Sequence, residues 1–385
     1  MKSNYRYIVK AFMAMAVIAG TTSCDDFLDR EPMSSISPET YYSTAAQLEA
    51  NLNDEYPNVL PSFGQWTYGI FGEDKGTDNQ IEVNANDRYT QDRWKVPHSE
   101  SDNWKFERIY RINFFLSEAL PKFGEDMSGS QNTISGSVAT IKHYIGEMYF
   151  LRAYEYFKKL QLFGDFPIID QPLADEMEAL REASKRFPRN EVARFIISDL
   201  DKAYAYMSDV DMATTRINKD AAMLVKSRVA LFEATWLQNF KGTAFVPGGE
   251  GWPGASLHNN YQYPSGSIDN EVKYFLEQAV EASKLVADKY KGNLTENTGV
   301  LQQSADDPSN PYFDMFAQED LSDVKEVLLW RQYARGLSTH NINAAAGRGN
   351  YRIGLTRGFV QNFLMKDGTP VYAHGSYADG DGYYM

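Results

Sequence analysis

The chain has 385 residues, a formal net charge of −14, 43% hydrophobic residues and a single cysteine. That length and apolar content suffice for a sizeable core, in one large domain or two average ones. The acidic balance excludes a partner held through its phosphate backbone, so no nucleic acid is expected, and one cysteine can form neither an internal disulfide nor a thiolate metal cluster.

At the N-terminus Lys2, Arg6 and Lys10 precede an apolar run, Ala11 to Ala19. Nine residues are too few to span a bilayer, which takes about 20. The small residues Gly20 to Ser23 then lead into Cys24. This layout is that of an export signal and resembles a bacterial lipoprotein signal, with residues 1–23 removed and Cys24 acylated. Thr21 stands where many such signals carry Leu. Several acyl chains would hold a soluble body on a membrane. Cleavage removes three positive charges and no acid, so the mature chain is more acidic still. Residues 24–36 form an acidic tether in which Asp25, Asp26 and Asp29 look like the tags that send Bacteroidetes lipoproteins to the cell surface.

Six amphipathic helices are expected in the body, residues 37–385. The first begins near Thr44, where Thr44 and Gln47 have capping-box spacing and Leu48, Leu52 and Tyr56 recur every four residues. The second runs from about Asp102 to Leu120, with Trp104, Ile109, Ile112 and Leu116 on its apolar face. The third spans Ser137 to Phe163, with Gly164 as its C-cap and Pro167 beyond. The fourth covers Asn190 to Met207. The fifth follows Asn218 and continues to about Leu237. The sixth covers Asp269 to about Tyr290. Residues 57–101 and 241–267 form long connections, of a length that is usually functional or disordered. Glu326 to Tyr333 (EVLLWRQY) reads as a strand. The fold class is mostly α, with TPR-like antiparallel helical pairs, long irregular loops and minor β.

The catalytic inventory is thin. His98, His143, His258, His340 and His374 are scattered, with no i, i+4 pair for zinc. No G-x-S-x-G turn occurs. Gly249 to Gly254 formally matches G-x-G-x-x-G but follows a helix, so it does not point to a dinucleotide. Asp379 and Asp381 flank Gly380 in a calcium-like D-x-D pair without a complete loop. No metal and no cofactor are called for, and no two carboxylates are singled out as a glycosidase pair. The residues of interest are loop aromatics among amides and acids. Tyr89 and Trp94 lie with Asn84, Asn86, Asp87 and Arg88, and Trp252, Tyr261 and Tyr263 lie with Asn259, Asn260 and Gln262. Flat rings meet the C–H faces of sugars while the polar neighbours meet hydroxyls. The bland alternative is that these rings pack loops onto the scaffold. Trp104 and Trp236, on helix faces, are expected in the core.

Several stretches together resemble the SusD/RagB family of surface nutrient-binding lipoproteins. They are Cys24–Asp29 (CDDFLD) with Glu31 and Pro32, Ser37–Tyr41 (SPETY), Gly146–Ala153 (GEMYFLRA) running on to Leu162–Pro167 (LFGDFP), Ile197–Ala203 (ISDLDKA), Ala221–Glu233 (AAMLVKSRVALFE) and Gly358–Gly368. The resemblance covers nearly the whole chain. It implies a TPR-like scaffold with the ligand site on irregular loops, and packing roles for Gly146, Arg152 and Ala153. It implies a non-enzymatic binder of oligosaccharide or polysaccharide at the outer membrane, facing the exterior, with a SusC-type TonB-dependent transporter as partner. Peptide or glycopeptide binding, a TPR adaptor role and surface glycan hydrolysis are the alternatives. Family members extend beyond the position of Met385, so part of the C-terminal region of the fold is expected to be missing.

Overall fold

The computed structural model describes residues 41–63, 72, 74–82, 103–124, 126–208, 212–301, 304, 306–334, 339–340 and 353–373. The expected export signal (1–23), Cys24, the expected tether, Tyr89, Trp94 and the Asp379–Asp381 pair lie outside them.

The described residues form α1 (Ala45–Val59), β1 (Gln80–Glu82), α2 (Glu107–Phe123), α3 (Val138–Phe163), α4 (Met177–Ala183), α5 (Arg189–Tyr206), α6 (Lys219–Asn239), α7 (Ile268–Tyr290), α8 (Pro311–Met315), β2 (Ile353–Leu355) and α9 (Arg357–Gln361). The fold is mostly helical, as expected. β1 and β2 pair antiparallel, with Ile81 opposite Gly354.

The helix starts follow local side-chain chemistry. Thr44 Oγ1 accepts from Gln47 N, and Gln47 Oε1 accepts from Thr44 N at 3.0 Å, completing the capping box. Ser137, Asn218 and Ser267 cap α3, α6 and α7 in the same way, each accepting from the backbone three residues on. α2 departs from expectation. It begins at Glu107, and Trp104 precedes it. Residues 103–106 are held another way: Lys159 Nζ donates to Asn103 O at 2.7 Å, while Trp104 packs edge-on against Phe163 and Phe166. Trp104 and Trp236 are half-buried against the core rather than within it.

α3 is the central element. It touches α1 and α2 on one side and α5 on the other, and α5, α6 and α7 continue the array by successive contact. Ile141, Ile145, Met148, Leu151 and Tyr156 are all buried, so α3 is enclosed on most of its circumference.

Glu326 to Tyr333 is not a strand. The stretch is irregular and has no ladder partner among the described residues. Its backbone bonds go elsewhere: Trp330 N donates to Thr214 O at 3.2 Å, and Asn218 Nδ2 donates to Leu328 O at 2.6 Å. The short apolar run from Val327 to Trp330 marks a segment lying on the scaffold, which needs no neighbouring strand.

Candidate functional site

The 241–267 loop brings three expected site residues into one aromatic group. Trp252 and Tyr261 have ring centroids 5.6 Å apart, and Tyr261 and Tyr263 are 5.2 Å apart. His258 stacks on Trp252 at 5.9 Å. Their polar atoms are engaged by the scaffold. Trp252 is 4% exposed, and its Nε1 donates to Asp165 Oδ2 at 2.7 Å. Tyr261 Oη exchanges bonds with the Asn190 side chain at 2.9 and 3.0 Å. Tyr263 Oη donates to Pro247 O at 2.6 Å. Burial pushes the phenols of Tyr261 and Tyr263 well above their usual range. These rings therefore fasten the loop to α5 and to the turn after α3.

A larger concavity lies elsewhere. A cleft of about 960 Å³ is bounded by the C-terminal half of α1, by Phe150 and Tyr154 of α3, by the first turns of α6 and by residues 326–332. Its polar side is rigid. Arg216 grips Glu147 through Nε to Oε1 at 2.9 Å and Nη2 to Oε2 at 2.7 Å, and its Nη1 donates to Asn53 Oδ1 at 2.9 Å. Tyr56 Oη donates to Glu147 Oε2 at 2.8 Å and accepts from Ile217 N at 2.9 Å. Burial, reinforced by the Glu147 carboxylate, pushes the Tyr56 phenol well above its usual value. His143 Nε2 lies 3.0 Å from Ile217 O and 3.1 Å from Glu147 Oε1.

The apolar side is made of rings held in place. Trp330 Nε1 donates to Thr214 Oγ1 at 2.8 Å, so the indole is anchored through both its edge and its backbone. Phe150 and Tyr154 stack at 6.2 Å with planes 10° apart. Leu224, exposed on α6, adds apolar surface. Gln332, Asn53 and Arg216 supply amide and guanidinium groups around these rings. Fixed ring faces beside amides and a guanidinium suit a ligand with apolar faces and hydroxyl edges. Trp330 and Tyr154 were not among the expected site residues. The only trace of Trp330 was its place inside EVLLWRQY, and Tyr154 is one of many aromatics along α3.

Among the described residues no group of three or more His, Cys, Asp or Glu could hold a metal ion. No described helix is long and apolar enough to cross a membrane.

Comparison with known proteins decides the family. The model of a SusD-like family, described as starch-binding and associating with the outer membrane, matches residues 26–231, more than half of the chain. The chain belongs to the SusD-like family. SusD-like protein P2 of Formosa agariphila is 25% identical over 253 residues, which are 63% of this chain and 46% of the relative. SusD-like protein P25 of the same organism is 25% identical over 233 residues, 56% of this chain and 41% of the relative. The SusD-like chain thus spans less than half the length of these relatives. In fold it is similar to a solved SusD-like carbohydrate binding protein of Bacteroides fragilis, with a TM-score of 0.52 and 15% identity over 88% of this chain and 57% of that one. Within this SusD-like chain the GEMYFLRA stretch has the packing role expected of it. Arg152 is buried between α3 and α5, and Gly146 lies where α3 meets the C-terminal turn of α5.

Proposed function

We propose that this chain is a non-catalytic glycan binder of the outer membrane that passes oligosaccharide to a SusC-type TonB-dependent transporter. The observation that carries the reading is the cleft between α1, α3, α6 and residues 326–332, where Trp330 and Tyr154 stand beside Asn53, Arg216 and Gln332. About 960 Å³ lies at the upper end of small-ligand pockets, roughly 300–1,000 Å³. That leaves room for several sugar units. The family description as starch-binding and outer-membrane-associated supports the same reading, as does the similarity in fold to the carbohydrate binding protein of Bacteroides fragilis.

In this proposal acylation at Cys24 tethers the chain, and Asp25, Asp26 and Asp29 direct it outward. Tyr89 and Trp94 belong to the ligand-contacting surface, while Trp252, Tyr261 and Tyr263 act through the loop they fasten.

The test is affinity electrophoresis through gels containing soluble polysaccharides, with reducing ends measured in parallel. Retardation by at least one glycan, loss of that retardation in Trp330→Ala, and no release of reducing ends are expected. No retardation by any glycan together with binding of peptides would overturn the ligand class. Glycan turnover abolished by one carboxylate substitution would overturn the non-catalytic role. The partner is tested by whether the acylated protein co-purifies with a β-barrel transporter from outer membranes.

A further inference from the structure

A second cavity, of about 470 Å³, lies at the opposite end of α6 from the cleft. It is walled by the C-terminus of α3, the start of α5, Trp236 near the end of α6 and loop residues 244–257. Arg189 sits in its wall and is only 3% exposed. Nε of Arg189 donates to Glu233 Oε1 and Oε2 at 3.0 and 3.2 Å, and Nη2 donates to Oε2 at 2.9 Å. The guanidinium also lies 4.1 Å from the centre of the Trp236 ring. Nη1 makes no hydrogen bond among the described residues and faces the cavity.

Gly164 keeps the space before Nη1 open. It caps α3 at φ +68°, a conformation L side chains rarely adopt, and a Cβ there would stand 3.4 Å from Nη1. Next to it is Asp165. Its Oδ1 accepts from Arg189 N at 2.9 Å and its Oδ2 from Trp252 Nε1 at 2.7 Å, so each oxygen keeps a lone pair for another donor. Phe245, 61% exposed, stands at the rim, and Trp236 Nε1 holds its backbone carbonyl at 3.0 Å.

Open to the cavity, Nη1 can donate to water or to a ligand oxygen that takes the water's place. The positive charge of Arg189 is already balanced by Glu233, so the cavity asks for an oxygen acceptor rather than for an anion. The same oxygen, or its neighbour, can donate to Asp165. A donor and an acceptor side by side between aromatic walls fit adjacent hydroxyls on a pyranose whose C–H face lies on a ring.

We infer that this cavity is a second carbohydrate site, taking one sugar unit through neighbouring hydroxyls bound by Arg189 Nη1 and Asp165, with the exposed Phe245 as the ring wall and Trp236 beside it holding Arg189 in place. It shares a ligand class with the cleft but none of its residues. Two such sites on one chain would add avidity for a long polymer.

The test uses the full chain labelled with 5-fluorotryptophan. The Trp236 signal is assigned from Trp236→Phe, and methyl glycosides of glucose, galactose, mannose and xylose are titrated across the millimolar range. At least one glycoside is expected to shift the Trp236 signal saturably. Phe245→Ala, at an exposed position, should weaken that binding about tenfold, and Leu257→Trp, which fills the rim, should abolish it. Trp330→Ala should leave it unchanged. No saturable shift with any glycoside, or equal shifts in the Phe245 and Leu257 variants, would overturn the site. Gel retardation lost only in Trp330→Ala reports on the cleft alone, so the two readings can fail separately.

Discussion

Arg152 on α3 grips Asp199 on α5 through two parallel bonds, Nε to Oδ2 at 2.6 Å and Nη2 to Oδ1 at 2.8 Å. Both residues are buried. Nη1 ties in Asn113 of α2 and the carbonyl of Asp170, each at 2.9 Å, and the guanidinium lies over Tyr149 and Phe195. One side chain thus links three helices and the turn after α3. Removing one partner strands a buried charge, which costs about 3–5 kcal/mol. Asp199→Ala should therefore lower the unfolding free energy by that amount in urea titrations. A loss below about 0.5 kcal/mol, the scale of an ordinary surface change, would contradict the role given to this pair.

Gly146 should be intolerant of a single methyl group. A Cβ there would lie 2.7 Å from Met207 Cγ, 2.8 Å from Met207 N and 2.9 Å from Ala203 O. The last two atoms are backbone and cannot swing away. Alanine is the better helix former by about 1 kcal/mol, yet overpacking of this kind costs about 1–3 kcal/mol. Gly146→Ala should destabilise the protein in thermal unfolding, and adding Met207→Ala should not restore it. Full rescue by the second change would mean that only the flexible side chain was in the way.

Glu271 gives a dependence on acid. Burial alone would raise its carboxyl. Bonds from Arg194 Nε and Nη2 at 2.7 and 2.9 Å, Asn190 Nδ2 at 3.0 Å and Ser265 N at 3.2 Å outweigh that and hold it below the ordinary 4.5. A carboxyl depressed in the folded state contributes stability that is complete above its unfolded value and lost as pH falls through the folded one. Glu271→Gln should therefore be less stable than the wild type at neutral pH, and the gap should close as pH drops below about 4.5. Melting temperatures across pH 3 to 7 check this. A gap that does not vary with pH would show that the bonds to Glu271 do not depend on its charge.

The features legible in the sequence were those with short-range causes. Thr44 with Gln47, Ser137, Gly164 and Asn218 mark their helix ends because each acts on backbone within a few residues. The helical scaffold followed from the same periodicity. What could not be read is non-local. Ile81 meets Gly354 across most of the chain, and neither short strand carries an alternating pattern long enough to announce the pair. For Trp252, ligand contact and packing onto the scaffold were both open; packing holds, and its partner Asp165 is 87 residues away in sequence. EVLLWRQY carries a short apolar run of strand length, but Thr214 and Asn218 rather than a neighbouring strand take up its polar groups. The cleft draws on four separate stretches, so no single window of sequence displays it.

The most direct test of the central claim is isothermal calorimetry of wild type and Trp330→Ala against an oligosaccharide cut from whichever polysaccharide retards the protein in gels. Losing one stacked ring should weaken binding by at least about tenfold, or 1.4 kcal/mol, while the melting temperature falls only slightly. Unchanged affinity in a folded Trp330→Ala protein would contradict the claim that the cleft beside Trp330 holds the glycan.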